Sequence, residues 1–178
     1  TVVGTVGVIS SRKGSDLFVE AARLVRLREQ GVEFRMVGAA TDELEVAWAE
    51  VVLAAARDAG VAHEARADVP ARLCEWDLFA LPSRHDPFPI ALLEAMGSAL
   101  PVVGTDVDGI SEQVTPETGI LVPPDDPVRL ADAIVELHRD PARRATLGAA
   151  GRARVLESFT PERQAESLHR AYLAALRR

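Results

Sequence analysis

The stretch Asp77-Leu78-Phe79-Ala80-Leu81-Pro82-Ser83-Arg84-His85-Asp86-Pro87-Phe88-Pro89-Ile90-Ala91-Leu92-Leu93-Glu94-Ala95-Met96-Gly97-Ser98-Ala99-Leu100-Pro101-Val102-Val103-Gly104 decides the fold. It opens on a short apolar run closed by Pro82, the signature of a buried strand. A polar loop from Ser83 to Pro89 follows, then a helical segment from Ile90 to Ser98, then a second apolar run at Pro101–Gly104. A strand that is apolar throughout, rather than alternating, is covered on both faces. Strand, helix and strand in succession place such strands side by side and parallel.

The same unit recurs on either side. Upstream, Val2, Val3, Val6, Val8 and Ile9 form a β-rich run, followed by Ser11-Arg12-Lys13-Gly14-Ser15-Asp16. Leu17, Phe18, Ala21, Leu24, Val25 and Leu27 then recur at helical spacing up to Gly31. Phe34–Val37 reads as a strand, and Thr41-Asp42-Glu43 opens a helix that runs past Trp48, Val52 and Ala55 to Gly60. Val61–Ala65 is a short strand, with a brief helix near Ala71–Glu75. Downstream, Gly119-Ile120-Leu121-Val122 is a further interior strand. Pro127–His138, Pro141–Ser158 and Pro161–Arg178 make a helical tail with proline at each start, where its missing N–H costs little. The expected fold is α/β, a Rossmann-like parallel sheet with helices on both faces and a helical C-terminal tail. Ligands of such sheets bind at the carboxyl ends of the strands.

Composition narrows the function. The 178 residues suit one domain, expected to span 1–178. A net charge of -7 argues against nucleic acid and acidic lipid as partners, since both select for surplus Lys and Arg. The single cysteine, Cys74, cannot form an internal disulfide and fits a reducing cytoplasm. No Cys/His cluster has metal-site spacing, and no apolar run is long enough to cross a bilayer. The chain begins directly in a strand, which suggests a domain cut from something longer.

Two constellations could carry chemistry. In the first, Arg12 and Lys13 precede Gly14 at a helix N-terminus, where backbone N–H groups, the helix dipole and a cation suit a diphosphate. A basic surface turn explains that loop equally well. In the second, Asp86 lies on the loop after a strand, and Glu94, eight positions on, falls in an apolar helix expected to face the core. A buried carboxylate needs hydrogen-bond donors. The vicinal hydroxyls of a ribose would supply two to Glu94, and a second sugar would meet Asp86. The bland alternative has Glu94 bonded to a neighbour and Asp86 capping the helix.

Those residues carry a resemblance. Pro82-Ser83, Asp86 with Glu94, Glu94-Ala95-Met96, Pro101-Val102-Val103, Gly109-Ile110-Ser111-Glu112 and Thr118–Pro124, together with Gly7–Gly14, follow one family's order and spacing. The chain resembles the donor domain of family 4 retaining glycosyltransferases, the group with the E-x7-E signature, over nearly its whole length. Ser158-Phe159-Thr160 before the last helix is similar to that family's usual ending.

The resemblance implies one half of a GT-B fold, with the acceptor-binding N-terminal domain absent from this chain and the acceptor itself unidentified. It implies that Lys13 binds the diphosphate of a nucleotide sugar, Glu94 the ribose and Asp86 the transferred sugar. Backbone N–H groups near Phe88 and Ile90 would assist, and the loop from Arg66 to Asp68 would lie at the nucleobase. It implies transfer with retention, no metal and no cofactor beyond the donor. The full-length enzyme would be cytoplasmic, with its other half able to approach a membrane.

Two positions depart from the pattern. Val8 stands where the family usually has arginine, five positions before Lys13, and Arg12 is the candidate substitute. Asp86 replaces the usual Glu and is one methylene shorter.

Other features have bland readings. Asp106-Val107-Asp108 spells the D-x-D tripeptide of metal-dependent glycosyltransferases of another fold, and here it is read as a decoy. His63, His85, His138 and His169 are expected at the surface. Cys74 is expected to be a small buried hydrophobe, and Trp48 and Trp76 are expected to pack helix against sheet. The rival functions are a non-catalytic or degenerate nucleotide-binding module and an NAD-dependent dehydrogenase domain. Gly4, Gly7 and Gly14 lack the G-x-G-x-x-G spacing of the latter.

Overall fold

A computed structural model describes residues 1–41 and 43–176, apart from the side chains of 43 and 44. The expected opening of the second helix at Asp42 therefore lies outside the described residues. The elements run β1 (Val2–Val6), α1 (Ser15–Arg26), β2 (Glu33–Val37), α2 (Glu43–Asp58), β3 (Val61–Glu64), α3 (Val69–Leu73) and β4 (Leu78–Leu81). They continue with α4 (Ile90–Gly97), β5 (Val102–Thr105), α5 (Asp108–Gln113), β6 (Gly119–Val122), α6 (Pro127–Arg139), α7 (Pro141–Ser158) and α8 (Pro161–Ala175).

All six strands are parallel, in the order β3-β2-β1-β4-β5-β6. The chain winds outward from β1 to β3, then returns to start β4 on the other side of β1. That reversal leaves a crevice at the carboxyl ends of β1 and β4, where no crossover covers the sheet.

Pleating sends successive side chains of each strand to opposite faces, which explains why the strands are apolar throughout. Leu78 and Ala80 of β4 join Val3, Phe34, Met36 and Val103 in a core covered by α1, α2 and α6. Phe79 and Leu81 join Val102 on the other face, beneath Leu73 of α3, Leu92 and Met96 of α4 and Ile110 of α5. Trp76, just before β4, lies over Gly4 and stacks on Phe79 with ring centroids 6.4 Å apart. A Cβ at position 4 would fall 2.0 Å from the indole, so the ring needs the bare backbone of β1 there.

Several boundaries move for local reasons. The first strand stops at Val6, although Gly7 N–H still donates to Val37 O and Ile9 N–H to Ala39 O. The brief third helix starts at Val69 rather than near Ala71, because the Asp68 side chain accepts from Ala71 N–H and Pro70 fits the first turn. Among the described residues of α2 the buried ones are Ala49, Val52 and Ala56, while Ala55 is exposed. Cys74 is exposed rather than buried, since it is the C-cap of α3, while its neighbours Leu73 and Trp76 take the buried positions. His63 and His138 are half-buried rather than at the surface: His63 Nε2 lies 2.7 Å from Gly38 O, and His138 Nδ1 lies 2.8 Å from Thr1 Oγ1.

The tail follows its prolines. Asp126, Asp140 and Thr160 each accept a backbone N–H at the start of α6, α7 and α8. The first two helices pack on the sheet or its helices, but α8 buries no residue and leaves Leu168, Tyr172 and Leu173 exposed. Among the described residues no helix is long and apolar enough to cross a membrane.

Because α8 contributes nothing to either core, deleting residues 161–178 should change the unfolding free energy by no more than about 0.5 kcal/mol, the range of surface changes. Urea denaturation followed by circular dichroism checks this; a larger loss would mean that α8 holds the core together.

Candidate functional site

The crevice at the sheet reversal is walled by the loop from Gly7 to Gly14 after β1 and the loop from Pro82 to Pro89 after β4. Gly14 sets their approach. Its φ of 67° is left-handed, and a Cβ there would fall 1.9 Å from Pro82 O, so the loops meet through a residue with no side chain. Backbone bonds continue the contact, with Arg84 N–H donating to Arg12 O at 2.8 Å and His85 N–H to the same oxygen at 3.3 Å.

Arg84 ties the rim together. Its Nη1 and Nη2 donate to both carboxylate oxygens of Asp16 on α1, at 2.9 and 2.8 Å, while Nε donates to Asp125 at 2.6 Å and Nη1 to Ser11 O at 2.6 Å. The Asp16 hydrogen bonds, helped by those of Asp125, raise the guanidinium pKa well above the ordinary arginine value against the opposing effect of burial. Asp125, after β6, and Asp108, after β5, both adopt positive φ, a conformation aspartate tolerates better than most residues. Asp108 uses it to accept the backbone N–H of Asp86 at 2.9 Å, and Gly109 N–H donates to Asp86 O. Three loops thus fix the loop that carries Asp86.

Asp86 itself is turned inward. Its side chain is 5% exposed, and Oδ2 lies 2.5 Å from Lys13 Nζ, with Ser83 Oγ at 3.4 Å. It does not cap α4, whose N-cap is Pro89 and which has no side-chain cap. The beginnings of α1 and α5 also lack a side-chain cap, whereas α3, α6, α7 and α8 have one. A helix start without a side-chain cap presents N–H groups and the positive end of the dipole, which suit an anion.

Lys13 and Asp86 are brought together. Gly14 is beside them, and Phe88 and Ile90 stand exposed at the entry to α4. Glu94 does not face the core as expected: it is exposed one turn beyond Ile90, while Leu92, Ala95 and Met96 fill the buried side of α4. The apolar residues around it in sequence belong to the other side of the helix. Among the described residues its carboxylate has no hydrogen-bond partner in the chain, so it is available to one from outside.

Arg12 is exposed, donates to His85 O at 3.2 Å and opens on a cavity with Ser11, Arg84 and Pro124. Lys13 lines a different one, with Gly7, Val8, Leu81 and Pro82. Arg66 is exposed on the loop after β3, at the outer edge of the sheet, and does not touch the Lys13–Asp86 pair. Asp106 and Asp108 are engaged separately, Asp106 by Ser111 Oγ at 2.6 Å and Asp108 by the Asp86 backbone. Arg84, Asp16, Asp108 and Asp125 are the site-building residues that sequence reasoning missed.

The fold is a doubly wound parallel α/β sheet with a crevice at the reversal between β1 and β4, where ligands of such sheets bind. A family model, Glycosyl transferases group 1, matches residues 1–140, and the chain belongs to that family. It is 31% identical to the lipopolysaccharide core biosynthesis mannosyltransferase LpsB of Rhizobium meliloti, over 98% of this chain and 52% of that protein. Sucrose-phosphate synthase from Thermosynechococcus elongatus superposes with a TM-score of 0.84 at 30% identity, over 98% of this chain and 46% of that one. HepE from Anabaena, solved with UDP and glucose, also superposes with a TM-score of 0.84, at 26% identity, covering 94% of this chain and 48% of that one. The chain spans about half the length of these relatives.

Arg84→Met should cost about 1–2 kcal/mol of stability, less than a fully buried charged network because Asp16 and Asp125 keep access to water. Urea unfolding measures it; a loss within about 0.3 kcal/mol would reduce the clamp to an ordinary surface ion pair.

Proposed function

We propose that this chain is the donor-binding half of a glycosyltransferase that takes a sugar from a nucleotide sugar and transfers it with retention of anomeric configuration and without a metal. The observation that carries the reading is the pairing of Lys13 with Asp86 between the uncapped starts of α1 and α4. A cation and two helix N-termini suit a diphosphate leaving group, whose developing charge they would stabilise in place as the glycosidic bond breaks. Asp86 is the group to accept sugar hydroxyls. Glu94, exposed and without a hydrogen-bond partner among the described residues, is the group to accept the two ribose hydroxyls, with the nucleobase toward the Arg66 loop.

The acceptor would come from a domain outside this chain, facing the carboxyl ends of the strands. Relatives about twice as long support that arrangement. HepE, solved with UDP and glucose, supports a nucleotide sugar as donor. A cytoplasmic enzyme that uses its other half to approach a membrane fits the resemblance. One observation favours a non-catalytic binding module instead: Val8 lines the Lys13 crevice where the resembling family has a cation. Sugar transfer by the full-length protein decides between the two.

Titration calorimetry with UDP, GDP and ADP tests the donor reading. Binding of one of them should be unchanged by EDTA. Glu94→Ala should weaken the nucleoside diphosphate and its nucleotide sugar alike, by about 1.5–3 kcal/mol for charge-assisted bonds. Lys13→Ala should weaken diphosphates by a similar amount, about 1.5–3 kcal/mol, and leave the bare nucleoside unaffected. Equal affinity of Glu94→Ala and the parent chain would remove the ribose role.

A further inference from the structure

Resting on that donor reading, we propose that the Lys13–Asp86 ion pair makes the site select the intact nucleotide sugar over the nucleoside diphosphate left after transfer. The ammonium placed to hold a diphosphate is already held, 2.5 Å from a carboxylate that is 5% exposed. A diphosphate can draw Lys13 away only by leaving Asp86 buried, charged and next to a second anion, which is unfavourable unless donors replace the ammonium. Hydroxyls of the transferred sugar are such donors. The nucleoside diphosphate alone has none to offer there.

Among the described residues, Ser83 is the one other side chain that donates to the Asp86 carboxylate. Ser83 Oγ, at 3.4 Å, is a marginal partner. The backbone N–H of Asp86 is committed to Asp108 and the Arg84 guanidinium to Asp16 and Asp125, while Arg12 is exposed and reaches His85 O in another cavity. Val8 adds no cation to the crevice, so among the described residues lining it Lys13 is the single positive charge that diphosphate and carboxylate must share. The same competition acts after transfer. Once the sugar has left, Asp86 regains Lys13 and weakens the hold on the product, so the pair favours binding of donor and release of diphosphate with one set of atoms.

The competing arrangement is a bridge, in which Lys13 keeps Asp86 and uses its remaining N–H groups on the phosphate. The two differ in sign. Under exchange, Asp86→Asn frees the ammonium and removes the repulsion, so the nucleoside diphosphate binds more tightly; under bridging, the same change loosens Lys13 and the diphosphate binds more weakly.

The test is titration of this 178-residue chain and of Asp86→Asn with UDP against UDP-glucose and UDP-N-acetylglucosamine, and with GDP against GDP-mannose. The parent chain should bind one nucleotide sugar about tenfold or more tightly than its diphosphate, as expected for leaving a buried charge unbonded. Asp86→Asn should tighten the diphosphate severalfold and bring the two affinities together. Weaker diphosphate binding by a folded Asp86→Asn overturns the exchange and leaves the donor reading standing. Equal affinity of the parent chain for a diphosphate and all of its sugars does the same, and needs no variant. Binding of none of these ligands overturns the donor reading and the exchange together.

Discussion

Everything at this site depends on two loops meeting at the reversal of the sheet. Parallel strands leave their carboxyl ends open, and the winding from β1 to β3 and back to β4 opens a crevice between neighbours that are far apart in sequence. The crevice acquires chemistry only because Gly14 lets the first loop lie against Pro82, a distance no residue with a Cβ allows. That approach carries Lys13 to Asp86. A carboxylate turned into the protein is then paired with one ammonium, and under the proposed function the binding of anions and of hydroxyls would depend on that same pair.

The surrounding residues serve that placement. Arg84 fastens the second loop to α1 and to the loop after β6, while Asp108 holds the backbone at Asp86 itself. A cluster so braced is suited to chemistry in which leaving-group charge is met by groups already in position, since little reorganisation is then needed as the bond breaks. The entry to α4 is different in character. Phe88 and Ile90 are exposed, and Phe88 rests edge-on against Phe159 with centroids 5.9 Å apart, at the junction of α7 and the unburied α8. The junction between α7 and α8 is therefore in contact with the loop that carries Asp86.

The fold was legible because its strands are short, apolar and bounded by Gly and Pro, and because its last three helices announce themselves with Asp-Pro or Thr-Pro starts. Within the site, Lys13, Gly14 and Asp86 could be named from local sequence. Glu94 was placed on the right helix but on the wrong side of it: apolar neighbours at one and two positions suggest burial, yet the side of a helix is set by positions three and four away. Arg84 and Asp108 were out of reach for another reason. Their partners lie 68, 41 and 22 positions away, and nothing local distinguishes an arginine that braces three loops from one in solvent. The D-x-D tripeptide shows the converse, a chemical spelling whose two carboxylates are used separately in the chain's own structure.

A crystal structure of this chain with a nucleoside diphosphate sugar would show whether the crevice holds the donor. The diphosphate is expected over Gly14 between the starts of α1 and α4, with Lys13 Nζ on a phosphate oxygen, Asp86 on the sugar and Glu94 on the ribose. A nucleotide sugar seated elsewhere on the sheet, or one in the crevice with Lys13 and Asp86 both turned away from it, would contradict that placement.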